Sequence, residues 1–159
     1  MTEQYHPSLT TQDERVMAGL AHISIILPMM GLLAPIFIWV TQKDKSEYVA
    51  FQSLQALAYQ LSLFLLYLIG WGCYAFSFFG MFLAIPFAPP EGSTEMPSPL
   101  FFVSAFLPFI VFGLVFLVFI ALGIYGVIGG VMCFKGQPFR YMVIGKMVEK
   151  FKDNAEENA

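Results

Sequence analysis

The sequence predicts an all-α protein, a polytopic transmembrane helical bundle with a C-terminal amphipathic interfacial helix. Three observations carry this expectation. Of 159 residues 58% are hydrophobic and only 12% charged, about half the charge fraction of a soluble domain. The charges are clustered, so that residues 16–42, 48–90 and 96–134 hold no Asp, Glu, Lys or Arg, in runs of 27, 43 and 39. Each run exceeds the roughly 20 apolar residues that cross a bilayer. Finally, Ile144, Met147, Val148 and Phe151 recur at the spacing of one helical face among Lys and Arg, the pattern of a helix lying on a membrane surface. A soluble enzyme and a disulfide-stapled secreted domain are excluded. The net charge of −3 offers no basic face for nucleic acid, so no nucleic-acid partner is expected.

The elements follow in order. Residues 1–13 form a polar tail expected to be mobile, with Thr11 or Asp13 available to cap a helix that starts near Glu14. Glu3, Asp13 and Glu14 without any Lys or Arg argue against a cleavable leader. A transmembrane domain then covers 14–134. Its first apolar block is broken by Pro28, Gly31 and Pro35, which leaves two readings: one kinked span, giving three spans in all, or a turn between two short helices that enter and return, giving four.

The loop 42–48 carries Asp44 followed by Glu47, a capping-box spacing that starts the second helix. Run as one helix to Pro90 it would measure about 65 Å against a core near 30 Å, so it must overshoot or bend, with Gly70 to Tyr74 as the expected place. An acidic, proline-rich external loop covers 88–99. The third helix runs from about Leu100 to Phe134 with a kink at Pro108, and Phe-rich ends of both long helices overshoot on the side of Glu91 and Glu95. A basic amphipathic cytoplasmic segment occupies 135–152, and a frayed acidic tail 153–159. Lys43, Lys45 and the C-terminal cations mark one side of the membrane as cytoplasmic, since the 88–99 loop has no Lys or Arg. The N-terminus is outside if the first block crosses once, inside if it turns back.

Few residues could carry chemistry. No phosphate-binding loop or H-E-x-x-H motif is present, and no catalytic, cofactor-binding or metal-binding residue is assigned. Cys73 and Cys133 lie in apolar runs and are expected to pack as small hydrophobes. His22 is an intramembrane polar candidate, either hydrogen-bonded to another helix or functional. On the second helix Tyr48, Gln52, Gln55, Tyr59 and Ser62 share a stripe about 80° wide and about 21 Å long. Amides cannot face lipid unpaired, so this stripe meets another helix or a polar conduit. On the third, Gly123, Gly126 and Gly130 share a face suited to close packing. Lys135, Arg140, Lys146, Lys150 and Lys152 are candidates for contact with an anionic lipid surface.

The stretches A-G-L-A-H-I-S, L-L-A-P-I-F-I-W-V, K-D-K-S-E-Y-V-A-F-Q-S-L-Q-A-L and K-G-Q-P-F-R-Y together resemble a bacterial family of small membrane proteins, domain of unknown function 4870. That family is similar to the twenty-kilodalton subunit of the chloroplast inner-envelope protein translocon. The similarity covers most of 14–72 and 115–145, although Gln52 stands where His is frequent, Ala50 where a basic residue is frequent, and Met142 where Pro is typical. The resemblance implies a membrane-embedded subunit linked to protein translocation. The expectation is therefore a non-enzymatic subunit or scaffold of the bacterial inner membrane, acting through a protein partner or as a homo-oligomer. The alternatives are a small channel or carrier lined by the helix-two stripe, and, with least support, an intramembrane lipid enzyme.

Overall fold

The computed structural model describes residues 10–27, 30–83, 85–89, 92, 94, 96 and 98–157. Glu91, Glu95 and most of the N-terminal tail lie outside them. Helix α1 (Gln12–Ile23) opens with a reciprocal cap: the Glu14 amide donates to Thr11 Oγ1 and the Thr11 amide to the Glu14 carboxylate, which satisfies two of the four orphan donors of a first turn. The helix gives way to a 3-10 turn at Ser24–Ile26 and, after the break, a second at Met30–Leu32. Helix α2 (Leu33–Gln42) follows and packs on α1. The two 3-10 turns approach so closely that a Cβ on Gly31 would run into the Ser24 carbonyl oxygen.

Helices α3 (Glu47–Leu83) and α4 (Pro99–Phe134) have 37 and 36 residues and, among the described residues, are the two long and apolar enough to cross a membrane. Both expected span counts are thereby corrected. Helices of 12 and 10 residues rise only about 18 and 15 Å, half of a hydrocarbon core, because Pro and Gly end the helix between them. Helix α3 passes through Gly70 to Tyr74 without a break, and α4 continues through Pro108. The start of α3 is also corrected: Ser46, not Asp44, caps it, its hydroxyl accepting from the Val49 amide at 3.4 Å.

After α4 the chain is not helical at once. Gly136 takes a φ of 73°, a left-handed conformation that costs glycine little. Residues 137–141 then run without regular structure, Phe139 and Tyr141 buried. Helix α5 (Ile144–Glu157) begins later than the expected basic segment and takes in most of the expected frayed tail. Among the described residues there is no strand.

The fold divides into two compact units: the described residues up to 64 with those from 122 onward, and residues 65–121. In the first, Ala18, Tyr48, Val49, Tyr59, Cys133, Phe139 and Tyr141 form the core. In the second, α3 and α4 meet through Tyr67 on Phe119 and Tyr74 on Phe112, both at 5.6 Å between ring centres. Gly70 lies close against Val115 there. Cys73 and large apolar residues such as Phe76, Phe79 and Phe109 remain exposed in this unit, a surface matched to lipid rather than water.

Candidate functional site

The polar residues of α3 that the 100° periodicity groups together face the first unit's interior. Gln55 is fully buried, and its side-chain amide acts like a neighbouring strand: Nε2 donates to the Phe139 carbonyl at 2.9 Å while Oε1 accepts from the Tyr141 amide at 3.0 Å. Backbone groups have fixed polarity, so this pairing fixes the orientation of the Gln55 amide. The remaining Nε2 hydrogen goes to Gln52 Oε1 at 3.2 Å. Gln52 Oε1 is therefore an acceptor and also receives His22 Nε2–H at 3.1 Å. That leaves His22 Nδ1 as the acceptor of the Tyr141 hydroxyl at 3.1 Å. One amide pinned by backbone thus sets the tautomer of an imidazole two residues away in the network.

Aromatic rings wall this cluster. Tyr59 stacks on Tyr141 with ring centres 3.9 Å apart and donates to the Leu122 carbonyl at 2.8 Å. Phe139 meets His22 edge-on at 5.8 Å, and Tyr125 packs on Tyr141 and Phe139. Close approach of helices makes room for it. A Cβ on Gly145 would come within 2.7 Å of Gln55 Oε1, and one on Gly126 within 2.8 Å of Ile25. Burial raises the Tyr141 hydroxyl, with Tyr59 adding to it. At the rim, bonds from Ser46 and from the Thr11 backbone hold the Glu14 carboxyl below its usual value.

The sequence-selected residues separate here. His22, Gln52, Gln55 and Tyr59 come together, and Tyr48 is buried in the same core. Ser62 is exposed and bonds its own helix at the Ala58 carbonyl. Lys135, Lys146 and Lys150 are exposed. Arg140 pairs with Glu149 at 2.7 Å and lies over the Phe51 ring at 5.7 Å. For Lys152 only the helical backbone is described. Val148 of the expected lipid-facing stripe is buried, whereas Met142, Val143 and Met147 are exposed.

Sequence reasoning missed Gln60, Ser24, Phe139 and Tyr141. Gln60 Nε2 donates to the Ala21 carbonyl at 3.1 Å and to Ser24 Oγ at 3.0 Å. It lies about 80° round the helix from Gln52 and so fell outside the stripe, although the demand that a buried amide find a partner applies to it equally. Both ring nitrogens of His22 are thus engaged by side chains of other elements, Gln52 and Tyr141. Among the described residues no three His, Cys, Asp or Glu side chains gather to hold a metal.

No curated protein and no solved structure matches the chain. A protein-family model does match, over residues 13–148, and it is neither that of domain of unknown function 4870 nor that of the chloroplast translocon subunit. The resemblance drawn from the short motifs is corrected accordingly, and the inferred link to protein translocation goes with it. Two of those motifs are the very stretches that the Gln55 pairing joins, so they report how the first unit packs. With most of its length inside the match, the chain belongs to the MamF/MmsF family, the magnetosome magnetite crystal formation protein family.

Proposed function

We propose that this protein is a non-enzymatic component of the magnetosome membrane that takes part in magnetite crystal formation. The observation that carries the reading is the family match across residues 13–148, joined to two helices able to cross a bilayer. The cluster around Gln55 supports a scaffold, because its amides and imidazole are bonded to protein groups. A water path along the same stripe would need those groups free. By the excess of Lys and Arg, residues 43–46 and 135–157 face the cytoplasm. Lys135, Lys146 and Lys150, beside exposed Met142 and Met147, meet an anionic lipid surface there, and protein partners or further copies join within the membrane.

The test is removal of the gene from a magnetite-forming bacterium, with crystals measured by electron microscopy. Altered crystal size or shape, restored by the full chain, is expected. Crystals indistinguishable from the parent's, in number, size and shape, would reject the reading.

A further inference from the structure

We propose that α1 and α2 form a re-entrant hairpin seated among the acyl chains of one leaflet, so that both ends of the hairpin lie on the same side of the membrane as the chain leaving α4. The proposal rests on membrane residence and not on the magnetite role.

The ends of the hairpin supply the first argument. Ser46 Oγ, just before α3, donates to Glu14 Oε1 at 2.5 Å, so the start of α1 and the loop after α2 meet. Gly136, just after α4, lies against Arg15: a Cβ there would be 2.7 Å from the guanidinium carbon. A single crossing between residues 15 and 46 would hold these groups a hydrocarbon core of about 30 Å apart.

The second argument is reach and surface. Helices of 12 and 10 residues extend about 18 and 15 Å, which carries the bend to about mid-bilayer. At the bend Ile26 and Leu27 are 61% and 60% exposed. Along α2, Leu33, Ile36, Phe37 and Val40 repeat at i, i+3, i+4 and i+7 and are all exposed, Phe37 at 70%. This stripe faces away from the cluster that α1 buries through Ala18, Ala21 and His22, and no charge interrupts residues 16–42.

The occupant is lipid rather than a second copy because of what surrounds the stripe. Leu61 of α3 and Ile124, Ile128 and Val131 of α4, at the same level, are exposed too, so the hairpin continues the apolar surface of the spanning helices. Where α2 ends, Lys43 Nζ sits 5.8 Å from the centre of the Trp39 ring, an aromatic and a cation side by side as at the headgroup level.

The full-length protein in liposomes tests this. In a Cys73→Ser, Cys133→Ala background, Gln12→Cys and Lys45→Cys should react with an impermeant maleimide from the same side as Lys146→Cys; labelling of the first two from opposite sides would overturn the hairpin. Nitroxides at Leu27→Cys and Phe37→Cys should collide with oxygen and not with a water-soluble nickel chelate. Nickel access at both would place the hairpin in water and refute lipid burial. Dipolar broadening at position 37 that survives lipid dilution would assign the stripe to a second copy and equally refute it. Should the cysteine variants not fold, Trp71→Phe leaves Trp39 alone, and acyl-brominated lipid should then remove most of its emission; unchanged emission counts against the proposal.

Discussion

Gln55 satisfies two backbone groups that belong to no helix, the Phe139 carbonyl and the Tyr141 amide. A leucine there would leave both buried and unpaired, at about 1–3 kcal/mol each. Gln60→Leu is milder, because the Ala21 carbonyl keeps its bond from Ser24 at 2.8 Å. Thermal unfolding in detergent should therefore show a clearly larger loss for Gln55→Leu than for Gln60→Leu; equal losses would mean that the Gln55 pairing adds nothing. Glu14, at the outer end of α1, sets a pH dependence with a definite sign. Its hydrogen bonds hold the folded carboxyl below the ordinary 4.5, so the unfolded chain binds more protons there and stability falls as pH drops through and below that value. Melting temperatures should thus decline more steeply below pH 4.5 for the native chain than for Ser46→Ala, and a parallel decline in both would remove the Glu14 bond from the account.

At the scale of elements, the glycines of α4 are not equivalent. A Cβ on Gly130 would lie 2.5 Å from Ile23 and 3.1 Å from the Gly19 carbonyl oxygen, whereas one on Gly123 meets nothing within 4 Å. Gly123→Ala should be neutral or stabilising by up to about 1 kcal/mol through helix propensity. Gly130→Ala should destabilise by about 1–3 kcal/mol through overpacking, and melting temperatures of the pair check the contrast. The shared face of these glycines was legible from spacing, but which of them α1 would touch was not. Legibility followed the range of the interaction throughout. Helices α3 and α4 could be read because charge-free runs of such length leave little else, and Gln52 and Gln55 because an amide in such a run needs a partner. The partner itself, residues 139–141, lies 84 to 86 positions away and leaves no local pattern. Likewise the length of the first apolar block suggested a span, while the Pro and Gly that cut it into short helices proved decisive. Periodicity marked a helical face from Ile144 onward, inside α5, but neither bounded the helix nor showed that Val148 faces inward, because lipid and a protein core select the same residues.

For the whole molecule, the contacts of Glu14 with Ser46 and of Arg15 with Gly136 bring the N-terminal helix and both ends of the spanning pair together. The Gln55 pairing then has a consequence for the order in which the protein is made. Gln55 leaves the ribosome 84 residues before Phe139, which at roughly 5–20 residues per second is an interval on the order of ten seconds. Through that interval Gln52, Gln55 and His22 enter the membrane without Tyr141 and Phe139. A chain ending at Lys135 should accordingly insert, stay unclosed and be cleared, with a pulse-chase half-life well below that of the full chain; equal half-lives would show that the earlier helices hold themselves together. His22, Gln52 and Gln55 can bond one another meanwhile, but the two backbone partners of the Gln55 amide arrive only with about the last eighth of the sequence.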